Sequence, residues 1–130
     1  MAPTFDEVAR SQYVSLTTFT KDGRPKPTPV WLAPALSGDG AYWILSQASA
    51  WKVKRIRNTP RVTIAQCDAR GTVKGEAVQA TASLLDPSHN DEVYRAITKR
   101  YGLMGRGFAL FSKLRGGNKN NIGIELRTLD

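Results

Sequence analysis

Five basic residues and no acid fall within Ser46–Val62: Lys52, Lys54, Arg55, Arg57 and Arg61. The stretch reads as a short helix, with Ser49 as N-cap, no breaker before Asn58 and Pro60 beyond its end. Lys52, Lys54 and Arg55 would crowd its first turns. A helix start already carries about half a positive charge and long side chains lean back toward it, so cations are disfavoured there. A bound anion reverses that sign, and the Ser46 and Ser49 hydroxyls would add donors to a phosphate cradle. Lys52 and Arg55 share a face at i, i+3, whereas Lys54 points elsewhere unless it folds back over the helix end. The plain alternative is a solvated basic helix face.

Other chemistry is poorly supplied. With one histidine (His89) and one cysteine (Cys67), the chain cannot build a dedicated His/Cys zinc site. His89 reads as a solvated residue beside a helix start, and Cys67 as a small core residue. There is no G-x-S-x-G elbow and no Walker-type loop. Gly102–Gly107 has its glycines in the wrong order for a dinucleotide fingerprint and reads as a helix terminator with a loop. The acids are scattered, so any difficult chemistry must come from a cofactor.

The net charge of +8 implies an anionic partner, either a phosphorylated small molecule or a nucleic acid. A nucleic-acid track would add Lys21, Arg24, Lys26, Lys113, Arg115 and Lys119 to the same cations. It is disfavoured because Trp31, Trp43 and Trp51 sit near apolar patterns and read as core rather than as a stacking platform, with Trp31 the one left open. The 130 residues suit one domain, 1–130. No apolar run approaches the ~20 residues of a membrane span, no secretory h-region is seen, and a lone cysteine fits a reducing cytoplasm.

The elements that must position these residues are mostly strands. Phe5–Ser11 reads as a short amphipathic helix, and Tyr13–Thr20 as a strand turned by Asp22–Gly23. The next strand, Pro25–Pro34, carries prolines at 25, 27, 29 and 34. It should be an edge, or irregular around Thr28–Trp31, with backbone groups left to face something else. Strands follow at 41–45, 61–67 and 75–85. A helix starts at Asp86–Pro87 and carries a stripe of Val93, Ala96, Ile97 and Tyr101; a closing strand covers 122–127. The hairpins argue for antiparallel pairing in a small mainly β barrel of six strands with accessory helices.

Asp22–Pro25, Thr28–Trp31, Lys52–Arg57 and Pro60–Val62, taken in order, resemble the pyridoxamine 5′-phosphate oxidase-like split β-barrel family. Together with Cys67–Gly71 and Ala80–Ala82, they look most like its branch that uses the deazaflavin coenzyme F-420. The resemblance implies a six-stranded antiparallel split barrel of the FMN-binding type, acting as a homodimer with the cofactor at the subunit interface. It implies that Thr28, Pro29, Val30 and Trp31 line a flavin-like ring, and that Ser46, Ser49, Lys52, Lys54 and Arg55 hold the phosphate. The activity implied is deazaflavin-dependent reduction, by hydride transfer, of a small unsaturated substrate. FMN is the alternative cofactor, and a non-catalytic binding protein the alternative role.

Overall fold

The computed structural model describes residues 3–11, 13–101 and 121–129. Seven antiparallel strands form one curled sheet: β1 (Val14–Phe19), β2 (Pro25–Val30), β3 (Ala33–Pro34), β4 (Tyr42–Gln47), β5 (Arg61–Gln66), β6 (Val78–Leu84) and β7 (Asn121–Thr128). Their order across the sheet is β2-β1-β5-β6-β7-β4-β3. β2 and β3 are therefore the two outer strands, yet only Trp31 and Leu32 separate them in the chain. One proline-rich strand pairs first with β1 and then with β4, which joins the two edges and makes the sheet a split barrel. The expected sixth-strand count becomes seven only because this closing strand is interrupted.

The prolines explain how an edge can be both regular and short of donors. Val14 pairs with Val30, Leu16 with Thr28 and Thr18 with Lys26, leaving Pro25, Pro27 and Pro29 at the alternate positions. A residue without N–H cannot exchange hydrogen bonds with β1, so the even-numbered residues form the bonded pairs. The prolines thus cost the ladder nothing, and they turn their carbonyls toward the free edge. The strand is regular to Val30; the anticipated irregularity is confined to Trp31–Leu32.

Alternation along the strands divides the apolar residues between two faces. Val14, Leu16, Val30, Tyr42, Ile44, Val62, Ile64, Ala80, Ala82, Ile122, Ile124 and Leu126 fill the inner face. Phe5 and Val8 of α1 (Phe5–Ala9) and Val53 and Ile56 of α2 (Trp51–Asn58) join them. Trp43 and Leu45 face the other way, under Val93, Ala96 and Ile97 of α3 (Asn90–Tyr101). α3 follows a 3-10 turn, Pro87–His89, in which Asp86 accepts from the Ser88 N–H at 2.9 Å. Gly123 is what lets α3 approach β7: a Cβ there would stand 2.8 Å from Val93 Cγ2 and 3.2 Å from Leu85 Cδ1. His89 is exposed and 3.5 Å from Glu92, and Cys67 is buried without a disulfide, as expected. The Tyr101 side chain and the terminator and loop anticipated from Gly102 onward lie outside the described residues.

Candidate functional site: a cationic helix against the first hairpin

α2 joins β4 to β5 and packs on β1 and β6 through Val53 and Ile56, both fully buried. Its N-cap is Ala50, not Ser49, and no side chain caps it. The correction has a local cause. The Ala50 N–H bonds back to the Gln47 carbonyl at 3.1 Å, closing a turn over Gln47–Ala50, and the Ala50 carbonyl accepts from Val53 N at 3.1 Å. Ser49 is thereby left one residue outside the helix, and exposed. Ser46 lies on the inner face of β4, buried, with its hydroxyl donating to the Gln47 carbonyl at 3.2 Å. The first turn of α2 holds no acid.

The three predicted cations of α2 go to different places. Lys52 is half-buried on the flank beside the core stripe and has no ion pair or hydrogen bond among the described residues. Burial lowers its affinity for a proton, and the neighbouring Arg55 guanidinium lowers it further. Arg55 donates through Nε to the buried Thr18 hydroxyl at 2.9 Å, which pins it to the end of β1. Lys54 turns to the opposite flank, where its ammonium lies 4.5 Å from the centre of the Trp51 ring. The structure brings Lys52 and Arg55 together and separates Lys54 from Lys52.

The four ring-wall residues follow the closing strand. Thr28 is half-buried opposite Leu16, Pro29 is exposed on the free edge, Val30 is buried and Trp31 is half-buried at the point where the strand changes partners. Pro29 also packs on the β5–β6 turn, since a Cβ on Gly71 would lie 3.5 Å from its Cγ. Five register steps separate Phe19–Pro25 from Val14–Val30, about 17 Å along the hairpin at ~3.3 Å per residue. Thr28, opposite Leu16, is only two steps from the Thr18–Lys26 pair where Arg55 is held, so the near end of the wall is close to Arg55 along the hairpin and Val30 is at its far end.

Two features escaped the sequence reading. Trp51 is 69% exposed rather than core, because Val53 and Ile56 take the buried stripe and leave residues 51, 54, 55 and 58 on the outer face. Arg100 reaches from α3 to four carbonyls: Ala9 at 3.1 Å and Leu32 at 2.9 Å through Nη1, and Arg10 at 2.5 Å and Ser11 at 3.1 Å through Nη2. No local signal in the sequence marks a basic residue in a helix's last turn as the clamp for an element some ninety positions away. A larger cavity, about 620 Å³, lies between β3 and the end of α3, lined by Leu36, Tyr42, Ala96 and Lys99 among others. It contains none of the predicted site residues and adjoins the end of the described chain. Among the described residues no cluster of His, Cys, Asp and Glu could hold a metal, and no helix is long and apolar enough to cross a membrane.

A curled antiparallel barrel, closed by one strand that changes partners and flanked by a cationic helix, defines a split-barrel protein. The chain belongs to the pyridoxamine 5′-phosphate oxidase family, whose sequence model matches residues 2–120. No curated protein matches it. Among solved structures it is similar to the conserved protein Rv2991 from Mycobacterium tuberculosis, with a TM-score of 0.67, 22% identity, and coverage of 95% of this chain and 76% of that one. The heme storage protein HutZ from Vibrio cholerae gives 0.66 at 15% identity over 93% and 84% of the two chains. A protein described as an F-420 reductase gives 0.64 at 14% identity, over 100% of this chain and 97% of that one. At these identities the likeness is one of fold.

Proposed function

We propose that the protein is a coenzyme F-420-dependent reductase of the cytoplasm, a single-domain chain working as a homodimer, that passes hydride to a small unsaturated organic substrate. The observation that carries this is Lys52: a half-buried ammonium with no counter-charge among the described residues, beside a second cation, at a helix start with neither cap nor acid. Such a group is destabilised until an anion arrives, and a phosphate supplies two charges and several acceptors. Lys52 and Arg55 would hold that phosphate. Thr28–Trp31 would line the ring, the carbonyls of Pro27 and Pro29 accepting from its N–H. The full-length match in fold to an F-420 reductase favours the deazaflavin over FMN, as do Thr28–Trp31 and Lys52–Arg57 in their order.

The residues present fit such a group, because the free β2 edge offers acceptors and α2 offers cations. When bound, a deazaflavin supplies a two-electron hydride donor. The chain's own part is to fix the ring and keep water from it, with no side-chain acid required.

The test is a parallel fluorescence titration of the purified protein with coenzyme F-420 and FMN. The deazaflavin should bind more tightly, and Lys52→Ala should weaken it roughly 10- to 150-fold, the loss of one charge-assisted contact of about 1.5–3 kcal/mol. Binding of neither cofactor better than ~100 µM would end this reading.

A further inference from the structure

The outer face of α2 makes a second site, apart from Lys52. Trp51, Lys54, Arg55 and Asn58 recur at i, i+3, i+4 and i+7, so one helix face presents all four. Facing them across a groove of about 230 Å³ are Phe19 and Lys21, where β1 enters its turn. The groove is walled by two aromatic rings and edged by three cations, and no acid lines it among the described residues. The nearest carboxylate in the hairpin, Asp22, is engaged by the Thr20 hydroxyl and by Arg24 Nε at 3.1 Å. Lys21 and Lys54 form no ion pair with any described residue.

An indole 69% exposed at the start of a helix gains little by being there for stability. Its ring instead carries the Lys54 ammonium 4.5 Å from its centre, which holds ring and cation in one arrangement before any ligand arrives. Arg55 is fixed at the inner wall by Thr18. Rings alone would suit any apolar group, and cations alone any anion. Both together, in a groove of this size, select a flat ring system that carries its own negative charge.

We propose that this groove binds a nucleotide, the base stacking against Trp51 and Phe19 and the phosphate meeting Lys21 and Lys54. The site is separate from the Lys52 flank and does not rest on the reductase assignment.

The test uses the full-length protein and adenosine 5′-monophosphate as probe, with affinity measured by calorimetry and position by quenching of the exposed tryptophan emission. A saturable quench is expected. Trp51→Ala should weaken binding about 5- to 100-fold, in line with the loss of one base–aromatic stack, and Trp51→Phe should recover most of it. Adenosine and inorganic phosphate should each bind at least about tenfold more weakly than the nucleotide. Lys52→Ala should bind the probe as the natural chain does, and saturating coenzyme F-420 should not displace it. Absence of binding, an unchanged affinity in Trp51→Ala, inorganic phosphate binding as well as the nucleotide, or displacement by the deazaflavin would each overturn the proposal. So would affinity that appears only with single-stranded oligonucleotides and grows with their length. Failure here with the Lys52-dependent titration intact removes the groove alone; the converse result removes the reductase reading alone.

Discussion

α1 and α2 are both short helices that pack on the inner core, and they are finished in opposite ways. α1 has only five residues, yet its start carries a full capping box: the Thr4 hydroxyl accepts from Glu7 N at 3.2 Å and Glu7 returns to Thr4 N at 3.4 Å. Asp6 and Glu7 match its dipole, Tyr42 donates to Asp6 at 2.7 Å, and Arg100 gathers the carbonyls at its end. α2 has eight residues, no side-chain cap, no acid in its first turn and a half-buried cation there. α1 is completed by the chain itself. α2 is held by Val53 and Ile56 and stays incomplete at the end where an anion would complete it.

That contrast can be broken at its anchors first. Ile56→Ala should cost about 2–5 kcal/mol, since it removes the buried side chain on which α2 rests; urea unfolding measures it. Arg100→Ala should cost about 1–3 kcal/mol by removing the guanidinium that ties the end of α1 to α3, and the same unfolding curves read it. A smaller change sharpens the comparison by giving α2 what α1 has. Ala50→Asp should raise stability by about 1 kcal/mol through a new cap and a favourable charge. It should also weaken phosphate-bearing ligands, because the carboxylate takes the anion's place. A variant that is both more stable and tighter-binding would show that α2's open end has no bearing on the ligand.

The smallest effect is in pH. Lys52 gives up its proton below the ordinary lysine value of 10.5, through burial and then Arg55. The unfolded chain therefore keeps that proton to higher pH than the folded one, and charged Lys52 opposes folding. As pH rises through its lowered pKa toward the ordinary value, the penalty fades and the free protein gains stability. Ligand affinity should fall over the same window, because the ammonium is lost. Melting and titration curves across that window should show opposite trends, and Lys52→Ala should show neither.

Much of the fold was legible because each strand carries its own punctuation. Asp22–Gly23 marks the first turn, where Gly23 adopts φ 86°, and the alternation of Arg61–Gln66 declares which face is inside. Prolines at 25, 27 and 29 identified an edge strand, although the register was needed to show that they cost no ladder bond. The site was legible as composition, not as arrangement. Four basic residues in eight reveal a basic helix, but where each cation ends up depends on where Val53 and Ile56 find the core. Spacing already set Lys54 apart from Lys52 and Arg55, but it made Trp51 look like core. Arg100 was invisible for a related cause: its four acceptors are backbone atoms, and backbone atoms leave no mark on sequence.

The place of β7 between β6 and β4 sets an order of assembly. β1, β2, β5 and β6 form a run of four neighbouring strands drawn from residues 14–84, so that part of the sheet can form before β7 joins it. β4 has only the two-residue β3 beside it until β7 arrives, some eighty residues later, and pairs Tyr42 with Leu126. Contacts so distant in sequence form slowly. Until β7 arrives, Tyr42–Gln47 therefore keeps one backbone edge unpaired, and that edge is open to aggregation.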